Sequence, residues 1–330
     1  MPLEPVSQGL LQQLAEERQP PISEQTPALA RMAGPIFSGM SGRGPDVAEV
    51  RDLKLEGTDG GRFRVRVLVP EGEPEAVIVY FHGGGWVLGD IDLQYDHVGR
   101  DLANRTRSTV VLVNYRKAPE HRFPTAIEDS YIGLCWAAEH AAEFSRPDAP
   151  LVVAGDSAGG NIAAVMTLWA RDRQGPRIAF QALIYPVTDC DVDTASYLAP
   201  ENQLMLDRDT MIWFWDHYLP DVSARNHPDA SPLRAPDHAG LPPALVYVCE
   251  FDPLHDEGVA YARALENAGV PVILDEADGQ MHIYFQMAGI LPGYQTGMAL
   301  VAEHIRAAVD RHAHGRQDPT SAQRRETTDA

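Results

Sequence analysis

The chain of 330 residues has few cysteines and no long apolar run. Its three cysteines, Cys135, Cys190 and Cys249, are too scattered for a metal site and do not suggest a disulfide framework. No stretch approaches the ~18 consecutive apolar residues of a transmembrane helix. The first five residues also lack the basic start and apolar core of a signal peptide. We therefore expect a cytoplasmic protein in a reducing environment, with no membrane span and no metal.

Lysine is almost absent, and acidic residues far outnumber basic ones. The 47 aspartates and glutamates against 27 lysines and arginines give a formal net charge of −20, and Lys54 and Lys117 are the only lysines. Such a charge repels nucleic acid and anionic membranes, so neither is expected as a partner. We interpret the acidity as a solubility feature with no catalytic role.

Apolar, β-branched runs recur along the chain, with helical patterns between most of them. The early runs alternate polar and apolar residues, as half-exposed antiparallel strands do, whereas the later runs are continuously apolar, as parallel strands buried on both faces are. This order predicts an α/β protein with a mostly parallel, doubly wound sheet of eight strands flanked by helices. The predicted strands are 47–54, 63–69, 76–81, 109–114, 151–155, 179–184, 244–249 and 272–276, and the predicted helices are 125–142, 160–172, 256–268 and 297–313.

Two segments do not fit the predicted sheet. Residues 1–45 contain amphipathic helical stretches at 6–19 and 26–39, and residues 187–230 connect one strand to the next. A connection as long as the second segment is usually functional in a compact domain. At the C-terminus, the polar tail at 314–330 is predicted to be disordered.

The pentapeptide Gly-Asp-Ser-Ala-Gly at 155–159 lies between a predicted strand and a predicted helix. A serine hydroxyl becomes a useful nucleophile only when a tight turn holds it within reach of a base, and a strand–turn–helix unit supplies that turn. The flanking glycines allow the strained backbone and the close approach of strand and helix. The alternative is an ordinary strand-to-helix turn with a capping serine. Ser157 is therefore a candidate nucleophile.

A base and an acid follow the last two predicted strands. Histidine exchanges a proton near neutral pH, and His282 follows the last strand by a short loop at 277–281. Asp252 directly follows the preceding strand. Functional groups of open α/β sheets lie beyond the carboxyl ends of the strands, and serine, acid, histidine is the chain order expected there. Glu250, Asp256 and Glu257 remain rivals for the acid, although the last two stand at a helix start, where carboxylates serve as caps.

A triple glycine follows the third predicted strand, in His-Gly-Gly-Gly-Trp at 82–86. Glycines let backbone N–H groups turn inward with no side chain in the way, and such donors, together with the amide of Ala158, form an oxyanion hole in lipases and esterases. The alternative is a flexible loop. Its place after a strand, in a chain that also contains the serine pentapeptide, favours the oxyanion hole.

These motifs together resemble the bacterial hormone-sensitive-lipase-like esterases, called family IV, of the α/β-hydrolase fold. The resemblance covers about residues 5–312. It implies a nucleophile, acid and base at Ser157, Asp252 and His282, and oxyanion donors at the amides of Gly83, Gly84 and Ala158. The family also builds a helical cap, which here implies a cap from 1–45 and 187–230 on a catalytic domain of 46–186 and 231–313. The matching stretches are 82–89, 114–121, 155–161, 252–258 and the loop at His282.

The sequence departs from the family pattern at two positions. Family members have His-Gly-Phe around the base, whereas this chain has Ile283 and Tyr284 after His282. The isoleucine adds bulk beside the base, so we expect it to narrow the pocket or shift the loop. Family members also commonly carry leucine where Lys117 stands. Neither change removes a catalytic group.

An aromatic helix at 210–218 supplies candidates for the substrate pocket. Its Trp213, Phe214 and Trp215 either pack the helix onto the body or line an acyl pocket as part of a lid, and different faces of one helix can do both. Together with Ile283 and Trp86, which follows the triple glycine, Trp213 and Phe214 are the predicted pocket residues.

The sequence thus predicts a carboxylesterase that acts on small-molecule esters with short to medium acyl chains through an acyl-enzyme, without a cofactor. A homodimer through the last strand, 272–276, is a further expectation from the family. One alternative is a non-catalytic small-ligand receptor of the same fold, like the plant gibberellin receptors, which have lost the base; the retained His282 argues against it. A second alternative, an acyl-peptide hydrolase, is disfavoured because no propeller-like region is present.

Overall fold

An eight-stranded sheet forms the centre of the molecule in the computed structural model, which describes residues 1–17 and 20–317. The strands are ordered β1-β2-β4-β3-β5-β6-β7-β8; β1 and β2 are antiparallel to their neighbours, and β3 to β8 are mutually parallel. This confirms the predicted α/β fold with a mostly parallel sheet. The strands are β1 (Glu49–Glu56), β2 (Arg62–Val69), β3 (Val77–Phe81), β4 (Thr109–Asn114), β5 (Leu151–Asp156), β6 (Ile178–Ile184), β7 (Ala244–Phe251) and β8 (Val272–Met281).

Helices cover both faces of this sheet. Side chains of successive strand residues point to opposite faces, so Val79 and Val153 belong to one apolar cluster while Ile78 and Val152 belong to the other. Continuous apolar runs in the central strands are therefore required to fill both layers. The helices are α1 (Pro5–Glu17), α2 (Pro27–Arg31), α3 (Gly34–Ser41), α4 (Asp96–Thr106), α5 (Thr125–Glu139), α6 (Ala141–Phe144), α7 (Ala158–Asp172), α8 (Ala195–Leu198), α9 (Arg208–Tyr218), α10 (His255–Asn267) and α11 (Gly293–Gln317).

Strand β8 is longer than the sequence pattern predicted. The segment 277–281 was expected to be a loop, but it continues the strand, with Ala277 opposite Cys249 and Met281 opposite Phe251. A shift in register between these two pairs accommodates Gly279, whose φ of 68° suits glycine. Because Phe251 and Met281 are paired, the residues that follow them leave the sheet side by side.

Several predicted helices have different bounds in the structure. The stretch at 26–39 forms two helices, since Pro35 in the first turn of α3 cannot continue a helix from before it. The stretch at 125–142 is interrupted at His140, and α4 was not predicted at all, because only Val98, Leu102 and Ala103 mark its buried face. Residues 314–317 extend α11 instead of beginning a disordered tail. The rest of that tail, 318–330, and positions 18–19 of the predicted first helix lie outside the described residues.

In the part of the chain that the structure describes, the segments 1–45 and 187–230 contribute no strand to the sheet. They touch each other where the indole Nε1 of Trp213 donates to the carbonyl of Gln25 at 3.0 Å. Arg31 ties the N-terminal segment to the body, since its guanidinium donates to the carbonyls of Val87 and Ala118. None of the helices described above combines the length and apolar character needed to cross a membrane.

Candidate active site

Ser157 stands on a strained turn between β5 and α7. Its backbone has φ 54° and ψ −120°, a region that residues with a Cβ rarely adopt. Three backbone hydrogen bonds hold the turn: Ser157 N donates to Ile184 O at 2.9 Å, and Ser157 O accepts from Asn161 N and Val187 N at 3.0 and 3.1 Å. Such strain costs about 1–3 kcal/mol and persists only where the surroundings fix it. The hydroxyl is thereby held at the carboxyl end of β5, with the side chain 6% exposed.

The glycines on either side of this serine are required by close packing. A Cβ on Gly159 would overlap the carbonyl of Phe81 at the end of β3, and one on Gly155 would overlap the carbonyl of Gly159. Strand β5, helix α7 and strand β3 can therefore approach this closely only with glycine at both positions. This is the steric role that the sequence predicted for them.

Ser157, His282 and Asp252 form one hydrogen-bonded chain. The Ser157 hydroxyl lies 3.0 Å from His282 Nε2, and His282 Nδ1 donates to the Asp252 carboxylate at 2.7 Å. A donating Nδ1 leaves Nε2 free to accept the serine proton. Asp252 is fully buried and His282 is 2% exposed, so water does not compete strongly for either hydrogen bond. The three residues come from the ends of β5, β7 and β8.

The other candidates for the acid lie elsewhere. Glu250 accepts from Gly279 N at 2.7 Å and pairs with the N-terminal amine. Asp256 accepts from Ser196 N at 2.9 Å. Glu257 accepts from Thr188 N at 2.7 Å. Among the described residues, Asp252 alone accepts a hydrogen bond from His282.

Two further groups hold the acid and the imidazole in place. The second carboxylate oxygen of Asp252 accepts from the backbone N–H of Leu254 at 2.9 Å. The ring of Tyr185 lies 4.5 Å from the His282 ring, and its backbone takes a φ of 34°. Sequence reasoning missed Tyr185, because only its place directly after β6 at the same edge of the sheet marks it.

The glycine loop after β3 presents backbone amides beside the serine. Gly84 and Gly85 have φ of 111° and 57°, values that favour glycine. The amide of Gly83, predicted as an oxyanion donor, donates instead to Asp156 Oδ1 at 3.0 Å. Among the described residues, no acceptor is recorded for the amides of Gly84 and Ala158. The structure therefore gives one of the three predicted donors a carboxylate partner and shows no protein acceptor for the other two among the described residues.

Asp156 is the residue that holds this loop, and the sequence did not single it out. Its carboxylate is fully buried and accepts from the hydroxyls of Tyr80 and Tyr95, both at 2.9 Å, as well as from Gly83 N. Burial raises the pKa of Asp156, and the three hydrogen bonds oppose that rise. The residue belongs to the serine pentapeptide, whose G-x-S-x-G pattern allows any residue at this position. Its partners are distant in the sequence.

His82, at the start of the loop, is not equivalent to His282. Its ring is stacked on Tyr115 at 4.3 Å and its Nδ1 lies 2.7 Å from Gly83 O. Burial holds the pKa of His82 well below its usual range, so its imidazole is neutral at physiological pH. Its ring therefore supports the glycine loop by packing against Tyr115 and contacting the carbonyl of Gly83.

The four predicted pocket residues have different surroundings. Phe214 packs over the glycine loop, since a Cβ on Gly85 would overlap its ring. Trp213 faces the N-terminal segment through Gln25. Trp86 is fully buried and is enclosed by aromatic rings, with Tyr218 stacked on it at 4.2 Å and Trp215 at 4.8 Å.

Ile283, the fourth, has a left-handed backbone, with φ 65° and ψ 5°. A β-branched residue is an outlier there, at a cost of about 1–2 kcal/mol, whereas glycine takes this conformation freely. This explains why glycine suits the position after the histidine in the related family. The isoleucine side chain is half-buried against the apolar cluster that contains α4 and α11.

Comparisons with known proteins agree with this fold. A family model for the alpha/beta hydrolase fold matches residues 78–286. The carboxylesterase NlhH of Mycobacterium tuberculosis is 42% identical over 231 residues, which are 68% of this chain and 72% of that protein. The ethyl acetate hydrolase of Pseudomonas putida is 35% identical over 273 residues, 81% of this chain and 85% of that protein.

Solved structures of esterases are also similar over most of the chain. The hyperthermophilic esterase from the archaeon Pyrobaculum calidifontis has a TM-score of 0.86 at 37% identity, covering 94% of this chain and 100% of that one. An ester hydrolase from the metagenome of Lake Arreo, complexed with a bipyridine phosphonate derivative, has a TM-score of 0.87 at 35% identity, covering 92% and 98%.

The sheet and the family model define an α/β hydrolase. Within that fold the chain belongs to the bacterial hormone-sensitive-lipase-like esterases of family IV, and it is a carboxylesterase. The alternative of a non-catalytic receptor is not favoured, since these relatives are named as enzymes that hydrolyse esters.

The backbone strain at Ile283 can be measured by substitution. We expect Ile283→Gly to change the free energy of unfolding by less than about 1 kcal/mol, because relief of strain offsets the lost contacts. The matched control is Ile273→Gly, a half-buried isoleucine in β8 without positive φ, which should lose about 2 kcal/mol or more. Urea denaturation of both variants provides the comparison. Equal losses at the two positions would contradict a strained Ile283.

Proposed function

We propose that the enzyme hydrolyses carboxylic esters with short to medium acyl chains, with Ser157 as nucleophile, His282 as base and Asp252 as the orienting acid. The observation that carries the proposal is the hydrogen-bonded chain from the serine hydroxyl through the imidazole to a buried carboxylate. Its location supports the proposal as well, since the three groups stand at the carboxyl ends of parallel strands.

The reaction proceeds in two steps. His282 takes the hydroxyl proton while Ser157 attacks the ester carbonyl, and Asp252 stabilises the imidazolium that forms. His282 then returns the proton to the departing alcohol, which leaves the acyl group on the serine. Water, deprotonated by the same imidazole, attacks the acyl-enzyme and releases the acid.

We assign the oxyanion hole to the amides of Gly84 and Ala158. Both lack a recorded acceptor among the described residues, and both lie next to the proposed nucleophile or on the glycine loop beside it. Gly83 was expected to contribute as well. Because its amide already donates to Asp156, its proposed role is to fix the loop so that the Gly84 amide faces the reacting carbonyl.

We further propose that 1–45 and 187–230 form a cap over a catalytic domain of 46–186 and 231–313. The contact between Trp213 and Gln25 joins the two segments, and Phe214 packs over Gly85 of the glycine loop. We expect a cap this close to the loop to limit the room at the serine, which favours small acyl groups. Phe214 is then the residue that limits acyl length.

The cellular setting and assembly are also part of the proposal. Cys135, Cys190 and Cys249 are free thiols, which supports a cytoplasmic enzyme. Strand β8 is the last strand of the sheet, and its Leu274 is 41% exposed, so a homodimer could form along this edge. The net charge of −20 supports a small ester, not nucleic acid, as the partner.

The nucleophile is tested by Ser157→Ala. We expect kcat for p-nitrophenyl butyrate to fall by roughly 10⁶-fold, the loss known for another serine hydrolase, since no other group can form the acyl-enzyme. The matched control is Ser130→Ala, which removes a buried hydroxyl for which the described structure records no partner. Unchanged circular dichroism would show that both variants fold. Substantial turnover by purified Ser157→Ala would refute the assignment.

Acyl-length control is tested by Phe214→Ala. Removing the ring should shift the preferred p-nitrophenyl ester toward longer acyl chains, because space opens over the glycine loop. Trp213→Ala is the comparison, since its indole hydrogen-bonds to the N-terminal segment and meets the Phe214 ring only edge to face at 5.3 Å, so it should shift the preference less. The measurement is kcat/KM across a series from acetate to octanoate. A shift in the tryptophan variant alone would contradict the proposed pocket.

A further inference from the structure

A cavity of about 620 Å³ lies between the N-terminal segment and the loops that follow β3 and β4. Its lining includes Phe37 of α3, Leu88 and Gly89 beyond the glycine loop, and Lys117 beyond β4. Ser157, Asp252 and His282 do not line it. A volume of this size suits a small organic molecule and exceeds what a single ion needs.

The cavity lining is rich in basic residues for so acidic a protein. Five basic residues line it against two carboxylates, although the whole chain has a net charge of −20. Three of the four arginines are already paired with carboxylates, so only a basic group without such a partner is left to attract an anion. The basic residues are Arg31, Arg62, Arg64, Arg116 and Lys117, and the carboxylates are Asp90 and Glu120.

Lys117 is distinguished from three of the arginines around it by its partners. Arg31 pairs with Glu120, Arg64 with Asp92, and Arg116 with Asp129 and Asp59. The Lys117 ammonium donates instead to neutral oxygens, Asn114 Oδ1 at 2.7 Å and Tyr115 O at 3.2 Å. Among the described residues, no carboxylate forms an ion pair with it. A half-buried ammonium whose hydrogen-bond partners are all neutral is only partly compensated, by the nearby Asp90 carboxylate, and a bound anion would compensate it further.

The rest of the lining indicates which anion fits. Apolar side chains surround the cavity, so the ligand needs an aliphatic portion as well as a negative charge. The ammonium supplies a single point charge with its remaining proton, which suits one carboxylate. The apolar lining consists of Ile22, Ala30, Phe37, Phe63, Leu88 and Leu93.

We propose that this cavity is a binding site for a short-chain aliphatic carboxylate, with the Lys117 ammonium as its counter-ion. The site is separate from the serine and does not depend on the proposed catalytic mechanism. Burial lowers the pKa of Lys117 to about 8, so the ammonium is mostly charged at neutral pH and becomes neutral in mildly alkaline solution.

Calorimetric titration with sodium butyrate tests the site. The wild-type protein should bind butyrate with a saturable heat at millimolar concentration or below, and butyramide, a neutral isostere, should bind roughly tenfold or more weakly. Lys117→Leu should lose butyrate affinity to the same extent; leucine is the common residue here in the related family, so the fold should accept it. Lys117→Met, nearly equal in length, is a second variant. No saturable binding to the wild type would overturn the proposal, and so would binding to the leucine and methionine variants as tight as to the wild type.

The pH dependence gives a second test. Butyrate stays ionised in alkaline solution, so its affinity should fall as pH rises through about 8 and Lys117 loses its proton. Lys117→Arg, which stays charged, should bind butyrate without that decline. The same decline in the arginine variant would assign it to another group and count against Lys117. The charged and titratable groups around the ammonium are Asp90, Glu120, Asp129, Arg31, Arg62, Arg64, Arg116, His121 and the neutral His82.

Butyrate could also bind at the proposed catalytic serine, as a product would. A protein whose serine has been blocked with a phosphonate separates the two locations. Binding that persists after blocking and disappears in Lys117→Leu supports the cavity. Binding that disappears after blocking and persists in Lys117→Leu places butyrate at the serine and overturns the proposal. That outcome leaves the proposed catalytic role of Ser157 untouched.

Discussion

The buried carboxylate of Asp156 joins the two loops on which the candidate active site depends. Asp156 is the last residue of β5, immediately before Ser157. Its carboxylate accepts hydrogen bonds from the amide of Gly83, just beyond β3, and from the hydroxyls of Tyr80 and Tyr95. A buried carboxylate is stable only when such donors surround it, so shifting the loop would leave an uncompensated charge. The serine turn and the glycine loop therefore keep one relative position. This fixed geometry is what oxyanion stabilisation requires, because donors that must reorganise contribute little.

Strained backbone occurs at this site as well as elsewhere in the chain. Ser157, Tyr185 and Ile283 all have positive φ, and each stands just beyond a strand of the parallel sheet or beside the imidazole. Each such residue costs about 1–3 kcal/mol, which the hydrogen-bonded sheet and its two apolar layers can support. The strain holds the hydroxyl, a neighbouring ring and the imidazole at one edge. The rigidity of the sheet therefore fixes the position of the serine hydroxyl.

Much of the fold could be predicted because it depends on local patterns. Continuous apolar runs indicated the central strands. The chain order of serine, acid and histidine then placed the candidate residues after the ends of β5, β7 and β8. The predicted end of β8 was wrong. Asp278 and Gly279 have the composition of a turn, but they lie within the strand, where the pairing with β7 shifts in register. Helix α4 was missed because its buried face is short of large apolar residues.

The parts of the site that sequence reasoning missed are contacts between distant segments. Nothing local shows that Asp156 takes the amide of Gly83, or that Tyr185 lies against His282. The left-handed backbone of Ile283 was also hidden, since isoleucine gives no signal for positive φ. The sequence showed that Ile283 departs from the family pattern, but only its backbone dihedral angles show that the departure introduces strain.

The central claim is that Asp156 holds Gly83 while Gly84 and Ala158 receive the oxyanion. A crystal structure of the enzyme with a phosphonate on Ser157 tests it most directly, since the phosphonyl oxygen occupies the oxyanion position. We predict that this oxygen lies about 2.7–3.1 Å from the amides of Gly84 and Ala158 while Gly83 still donates to Asp156. An oxygen bound by the Gly83 amide, with Asp156 released, would contradict the account.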